Sequence, residues 1–139
     1  MKKLIIIPAL IIGLVCLFAF KGNEKKEDTA PAADDKDYLE CFKKYASAWG
    51  ETCPDCKTYK DSYKVKLRNE CNEKIDVMVC VQEANKTWKR FQWNDVKAKD
   101  SVIAYACEGT GKYLKWARRA GDRSVDFPTV EKVNAEHKD

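Results

Sequence analysis

A single histidine, His137, serves the whole 139-residue chain, and it stands in a polar tail. Ser/His/Asp and Cys/His catalysis need an imidazole fixed beside the nucleophile, which a tail residue is badly placed to give. No G-x-x-x-x-G-K run occurs, so no phosphate-cradling loop is encoded; Gly109-Thr110-Gly111 reads only as a tight turn. The carboxylates are scattered, with no recognisable pair for glycoside chemistry. A second C-x-x-C is missing, so a four-ligand zinc site is incomplete. A strong charge of one sign is missing too. Lys and Arg number 26 against 22 Asp and Glu, a net +4, and residues 38–139 alone carry the same excess. Dedicated nucleic-acid binders usually carry more, so no nucleic-acid partner is expected. These absences point away from an enzyme, and neither a cofactor nor a metal is expected.

What is present starts at the N-terminus. Lys2 and Lys3 precede Leu4–Phe20, seventeen residues without a charge. A basic start followed by an apolar run is the pattern of a segment that directs export. Three outcomes compete. The run reaches the short limit of a spanning helix, which makes the membrane a partner through Leu4–Phe20 if it stays uncleaved. Ala19 offers a small residue for signal cleavage, with Leu17 two positions before it. Cys16 as the lipid-bearing residue of a lipoprotein ranks behind both, because Val15 stands where a small residue is expected. Residues 1–20 are therefore read as signal peptide or signal anchor. Lys2 and Lys3 stay cytoplasmic, and the rest is exported: membrane-anchored, periplasmic or secreted.

Residues 21–37, KGNEKKEDTAPAADDKD, hold no aromatic and only Thr29 as a β-branched residue. Too little apolar surface is on offer to offset chain entropy, so this is a charged flexible tether. Asp37-Tyr38-Leu39-Glu40 then has the form of a capping box. Tyr38, Phe42, Tyr45 and Trp49 recur at helical spacing and Gly50 supplies a C-cap, which predicts one covering helix over 38–49.

Beyond it the period changes to two. Tyr63, Val65 and Leu67 alternate with Lys64, Lys66 and Arg68, a half-buried strand with a basic outer face. Ile75–Gln82, Thr87–Trp93, Ser101–Glu108 and Lys112–Arg119 follow as further strands. Trp88 points opposite to Phe91 and Trp93, so either both faces are covered or a bulge intervenes. Val125-Asp126-Phe127 offers a short sixth strand before Pro128, and the tail 129–139 is expected to fray. No crossover helix of βαβ length intervenes. The fold class is mainly β with minor α+β character: a small antiparallel five- to six-stranded meander, barrel or sandwich over residues 38–128, with one N-terminal covering helix.

Six cysteines lie outside the apolar run: Cys41, Cys53, Cys56, Cys71, Cys80 and Cys107. An even number in a small exported domain fits up to three disulfides, and 15 connectivities are open. Cys53-Pro54-Asp55-Cys56 is the one motif with chemical reach. Structural half-cystines are the leading reading, ahead of metal ligation and then redox work. Two strands interleave aromatic and basic residues. Trp88, Arg90 and Trp93 lie on one; Lys112, Tyr113, Lys115, Trp116 and Arg118 lie on the other. Such side chains stack on sugar rings and meet anionic groups when exposed, or form core and solvated rim when not.

The stretch Tyr105-Ala106-Cys107-Glu108-Gly109-Thr110-Gly111-Lys112-Tyr113 resembles part of the small periplasmic β-barrel lysozyme inhibitors. That family places a Ser-Gly and a nearby Tyr on a loop that enters the lysozyme cleft. Here Thr110 replaces the Ser, Tyr113 comes one residue sooner, and under a tenth of the chain is covered. The leading expectation is a non-catalytic interaction module for an anionic glycan, lipid head group or protein. The resemblance implies an inhibitor or immunity-type protein as one alternative. A thiol–disulfide oxidoreductase working through Cys53 and Cys56 is the other.

Overall fold

The computed structural model describes residues 37–138. The signal or anchor over 1–20, Cys16 and nearly all of the tether lie outside the described residues. Within them two helices and six strands follow in the order α1 (Tyr38–Cys41), β1 (Phe42–Trp49), β2 (Tyr63–Asn69), β3 (Ile75–Glu83), β4 (Trp88–Val96), β5 (Ser101–Ala106), β6 (Gly109–Arg119) and α2 (Val130–Glu136).

The strands form two three-stranded antiparallel sheets, β1-β2-β5 and β4-β3-β6. The chain changes sheet after β2, after β4 and after β5. The arrangement is a sandwich, not a closed barrel. Alternation decides what goes between the sheets. Val65 and Leu67 of β2, Val102, Ala104 and Ala106 of β5, and Val77, Val79 and Val81 of β3 meet there, with Phe42 and Tyr63. Burying a side chain of this size stabilises the fold by about 1.5–3 kcal/mol before entropy is counted.

The predicted helix over 38–49 is overturned after one turn. Asp37 caps α1 as expected, its carboxylate accepting the Leu39 N–H at 2.8 Å. From Phe42 the chain is a strand, in register Phe42↔Asn69 through Trp49↔Tyr63, with an irregularity between Lys44 and Ala46. Two facts explain the override. Without β1 the outer edge of β2 would leave its N–H and C=O groups unpaired. Cys41 is also disulfide-bonded to Cys71, Cα–Cα 5.1 Å, which fixes the start of β1 beside the end of β2. The aromatic stripe fails as a core face: Tyr45 is 47% and Trp49 55% exposed.

The C-terminal expectations are corrected as well. Residues 125–127 form no strand. The tail from Thr129 does not fray: the Thr129 hydroxyl caps α2 by accepting the Lys132 N–H, and Val133 is buried. Phe127 and Val133 cover the outer face of β4-β3-β6, packing with Met78, Cys80, Trp88, Leu114 and Trp116. Both faces of β3 are thus buried, and this accounts for the opposed direction of Trp88.

Candidate functional site

The aromatic and basic side chains of β4 and β6 are mostly engaged in holding the fold. Trp88 is buried, and its indole N–H donates to the His137 carbonyl at 2.7 Å. Trp93 packs against the inter-sheet core and stacks on Phe91, ring centroids 5.9 Å apart. Trp116 lies in the cluster beneath α2. Tyr113 lies against the inter-sheet core, with the Lys44 ammonium over its ring. The Lys115 ammonium donates to the carbonyls of Leu39 and Phe42, tying α1 to the second sheet; burial lowers its pKa from the ordinary lysine value.

Arg118 is buried against Asp76, 3.5 Å away, and its guanidinium lies over the Phe127 ring at 4.5 Å. Arg90 is exposed but donates to Met78 Sδ and Gln92 Oε1. Lys112 alone of the eight is a free-standing exposed cation beside a cleft of about 360 Å³, which Gln82, Trp88, Tyr113 and His137 also line. Register puts Trp88, Arg90, Trp116 and Arg118 on the outer face of β4-β3-β6 with Met78 and Cys80, and Trp93, Tyr113 and Lys115 on its inner face, so the eight divide between two faces.

The segment that resembles the lysozyme inhibitors is equally built in. Thr110 donates its hydroxyl proton to Gln82 Oε1 at 2.8 Å. A Cβ on Gly109 would collide with the Tyr63 Cβ, so only glycine fits there. Thr110 and Gly111 belong to β6, and the turn before it is only Cys107-Glu108. Within this segment the chain is strand and two-residue turn, without a protruding loop.

The six cysteines do not sort into three disulfides. Cys41–Cys71 is one. Cys80 is free and fully buried on the outer face of the second sheet; burial pushes its thiol up to about 11, against the opposing pull of Arg90. Cys53, Cys56 and Cys107 come together, with Cys56 in bonding contact with both others.

Among the described residues, the surface left open is the outer face of β1-β2-β5. Register places Lys43 and Arg68 side by side with Ser101, then Ala46, Lys66 and Ile103, then Ala48, Lys64 and Tyr105. At the irregularity in β1, Tyr45 turns to this face, and the Arg68 guanidinium lies over its ring at 4.5 Å. Ile103 is 45% exposed. Two acids answer the cations loosely: Glu51 lies 3.5 Å from Lys64 and 3.7 Å from Lys66, and Glu70 3.8 Å from Arg68. The Lys99 ammonium holds the Glu70 carboxyl below its usual pKa. Partly exposed pairs of this kind contribute about 0–1 kcal/mol, so a better anion can replace them. The basic half of this face is visible in the β2 alternation. Tyr45 is missed, because helical spacing assigns it to a buried stripe.

No family model, curated protein or solved structure matches this chain, so function is read from its side chains.

Proposed function

We propose that this is an exported, non-catalytic binding module whose outer β1-β2-β5 face takes anionic glycan chains. One observation carries the reading: an exposed Tyr45 ring with Arg68 over it, in a row with Lys43 and Lys66, on the sheet face that no described segment covers. A flat strand face suits an extended polymer. Exposed aromatic rings offer apolar area to sugar rings, while Lys and Arg meet carboxylate or sulfate groups. Export is supported by the basic, apolar start at Lys2–Phe20 and by a disulfide of the kind that persists in oxidising compartments.

The test is binding of the full chain to an array of acidic and neutral glycans at low and high salt, alongside an acidic peptide. Saturable binding to acidic glycans that weakens with salt, and falls at least about tenfold in Tyr45→Ala/Arg68→Ala, supports the reading. Binding only to the peptide, or no saturable binding, rejects it.

A further inference from the structure

Cys53, Cys56 and Cys107 present sulfurs that all lie within 4.8 Å of one another. The Cα–Cα distances are 5.6 Å for Cys53–Cys56 and 5.2 Å for Cys56–Cys107, and both fall in the range that a disulfide spans. One sulfur makes one disulfide bond, so the two pairings exclude each other. No other described cysteine can relieve the conflict: Cys41 and Cys71 are bonded together, and Cys80 is buried on the other sheet. Among the described residues the cluster thus always keeps one spare sulfhydryl when oxidised.

We propose that these three cysteines form a thiol–disulfide exchange site that captures low-molecular-weight disulfides at Cys107. The internal step is an isomerisation. The Cys53 thiolate attacks Cys56 Sγ of the Cys56–Cys107 bond, the Cys53–Cys56 bond forms, and Cys107 leaves as thiolate. One bond breaks and one forms, so neither oxidant nor reductant is consumed. The outer step is capture. The Cys107 thiolate attacks a small disulfide such as glutathione disulfide, forms a mixed disulfide, and releases one thiolate of the reagent. Burial assigns the roles. Cys53 and Cys56 are 7% and 9% exposed, whereas Cys107 is half-buried and lines a cleft of about 350 Å³ with Asp55, Lys57, Thr58 and Asn85. The Cys107 N–H donates to the Glu83 carboxylate at 3.2 Å, which holds the turn over the cleft.

The fold itself makes the two pairings competitive. In an unfolded chain, closing the three-residue separation of Cys53–Cys56 is far easier than closing the 51 residues to Cys107. In the folded domain both loops are already closed, so that advantage vanishes.

The experiment is acid-quenched alkylation of the full chain followed by non-reducing peptide mapping. Label is expected on both Cys53 and Cys107, each on more than about a tenth of the molecules, with Cys56 unlabelled; pairings within tenfold of each other give this split. In denaturant under exchange conditions, label should move to Cys107 by on the order of ten- to a hundredfold. With glutathione disulfide, one adduct is expected on Cys107. Cys53→Ser, which locks Cys56–Cys107, should lower adduct formation at least about tenfold with unchanged near-ultraviolet circular dichroism. All native label on a single cysteine, an unlabelled cluster holding stoichiometric zinc, or an undiminished adduct in Cys107→Ser would overturn the proposal.

Discussion

The outer faces of the two sheets began from similar material, alternating strands with cationic and aromatic residues, and ended differently. On β4-β3-β6 the C-terminal segment folds back and creates a second small core around Met78, Cys80, Trp88 and Val133. Cations there are drawn inside: Arg118 pairs with Asp76, whose carboxylate also accepts the N–H groups of Asp95 and Gly121. On β1-β2-β5 nothing described folds back, and Lys43, Lys66 and Arg68 remain beside Tyr45 and Ile103. The contrast shows that aromatic-basic strands announce a surface only when no later segment claims it. Composition of the strand alone cannot tell the two fates apart.

The comparison breaks most sharply at Asp76. Replacing it by Ala strands the buried Arg118 charge, and unfolding in urea should show a loss of about 3–5 kcal/mol. A shift below about 1 kcal/mol would mean that water reaches the Arg118 guanidinium on the covered face. The next effect is alkaline. Cys80 has its pKa raised on folding, from 9.0 to about 11, so the folded state holds the proton more tightly. Stability is therefore complete below pH 9 and declines between 9 and 11. The decline should total about 2–3 kcal/mol and disappear in Cys80→Ala when the two are compared by chemical denaturation across that range. Val133→Ala removes two methyl groups from under α2 and should cost about 2 kcal/mol. Hydrogen exchange at Trp88 should rise with it, because the indole loses its fixed partner at His137. The smallest expected change belongs to the open face. Arg68→Ala and Lys66→Ala should stay within about 0.5 kcal/mol of the parent in melting experiments while salt-sensitive ligand binding falls.

Much of the sandwich was legible. Strands β2 to β6 follow from period-two alternation, and the opposed Trp88 asks for either a second cover or a bulge, of which the cover over Trp88 is what the fold supplies. Two features were not. Phe42–Trp49 carries residues that fit a helical stripe and a strand with one irregularity equally well, and the unpaired edge of β2 together with the Cys41–Cys71 link decides between them. The stretch 125–137 looks polar because few of its side chains face inward; Phe127 and Val133 do, at a spacing too sparse to stand out. Both failures concern partners distant in sequence. The site suffered for the same reason: once β1 is taken for helix, Tyr45 cannot be placed beside Arg68. The cysteine count misled differently. Six suggests three bonds, yet Cys80 is buried on the outer face of the second sheet, unbonded to any other described cysteine, and works as a small apolar side chain.

The Cys41–Cys71 bond has a mechanical meaning. A pull applied to the backbone at Asp37 meets the covalent link before it reaches β1, and is passed to the turn that follows β2. The edge strand is then not unzipped one hydrogen-bonded pair at a time. Sheared against the link, the domain should resist as a block; with the link reduced, β1 becomes the first strand to peel.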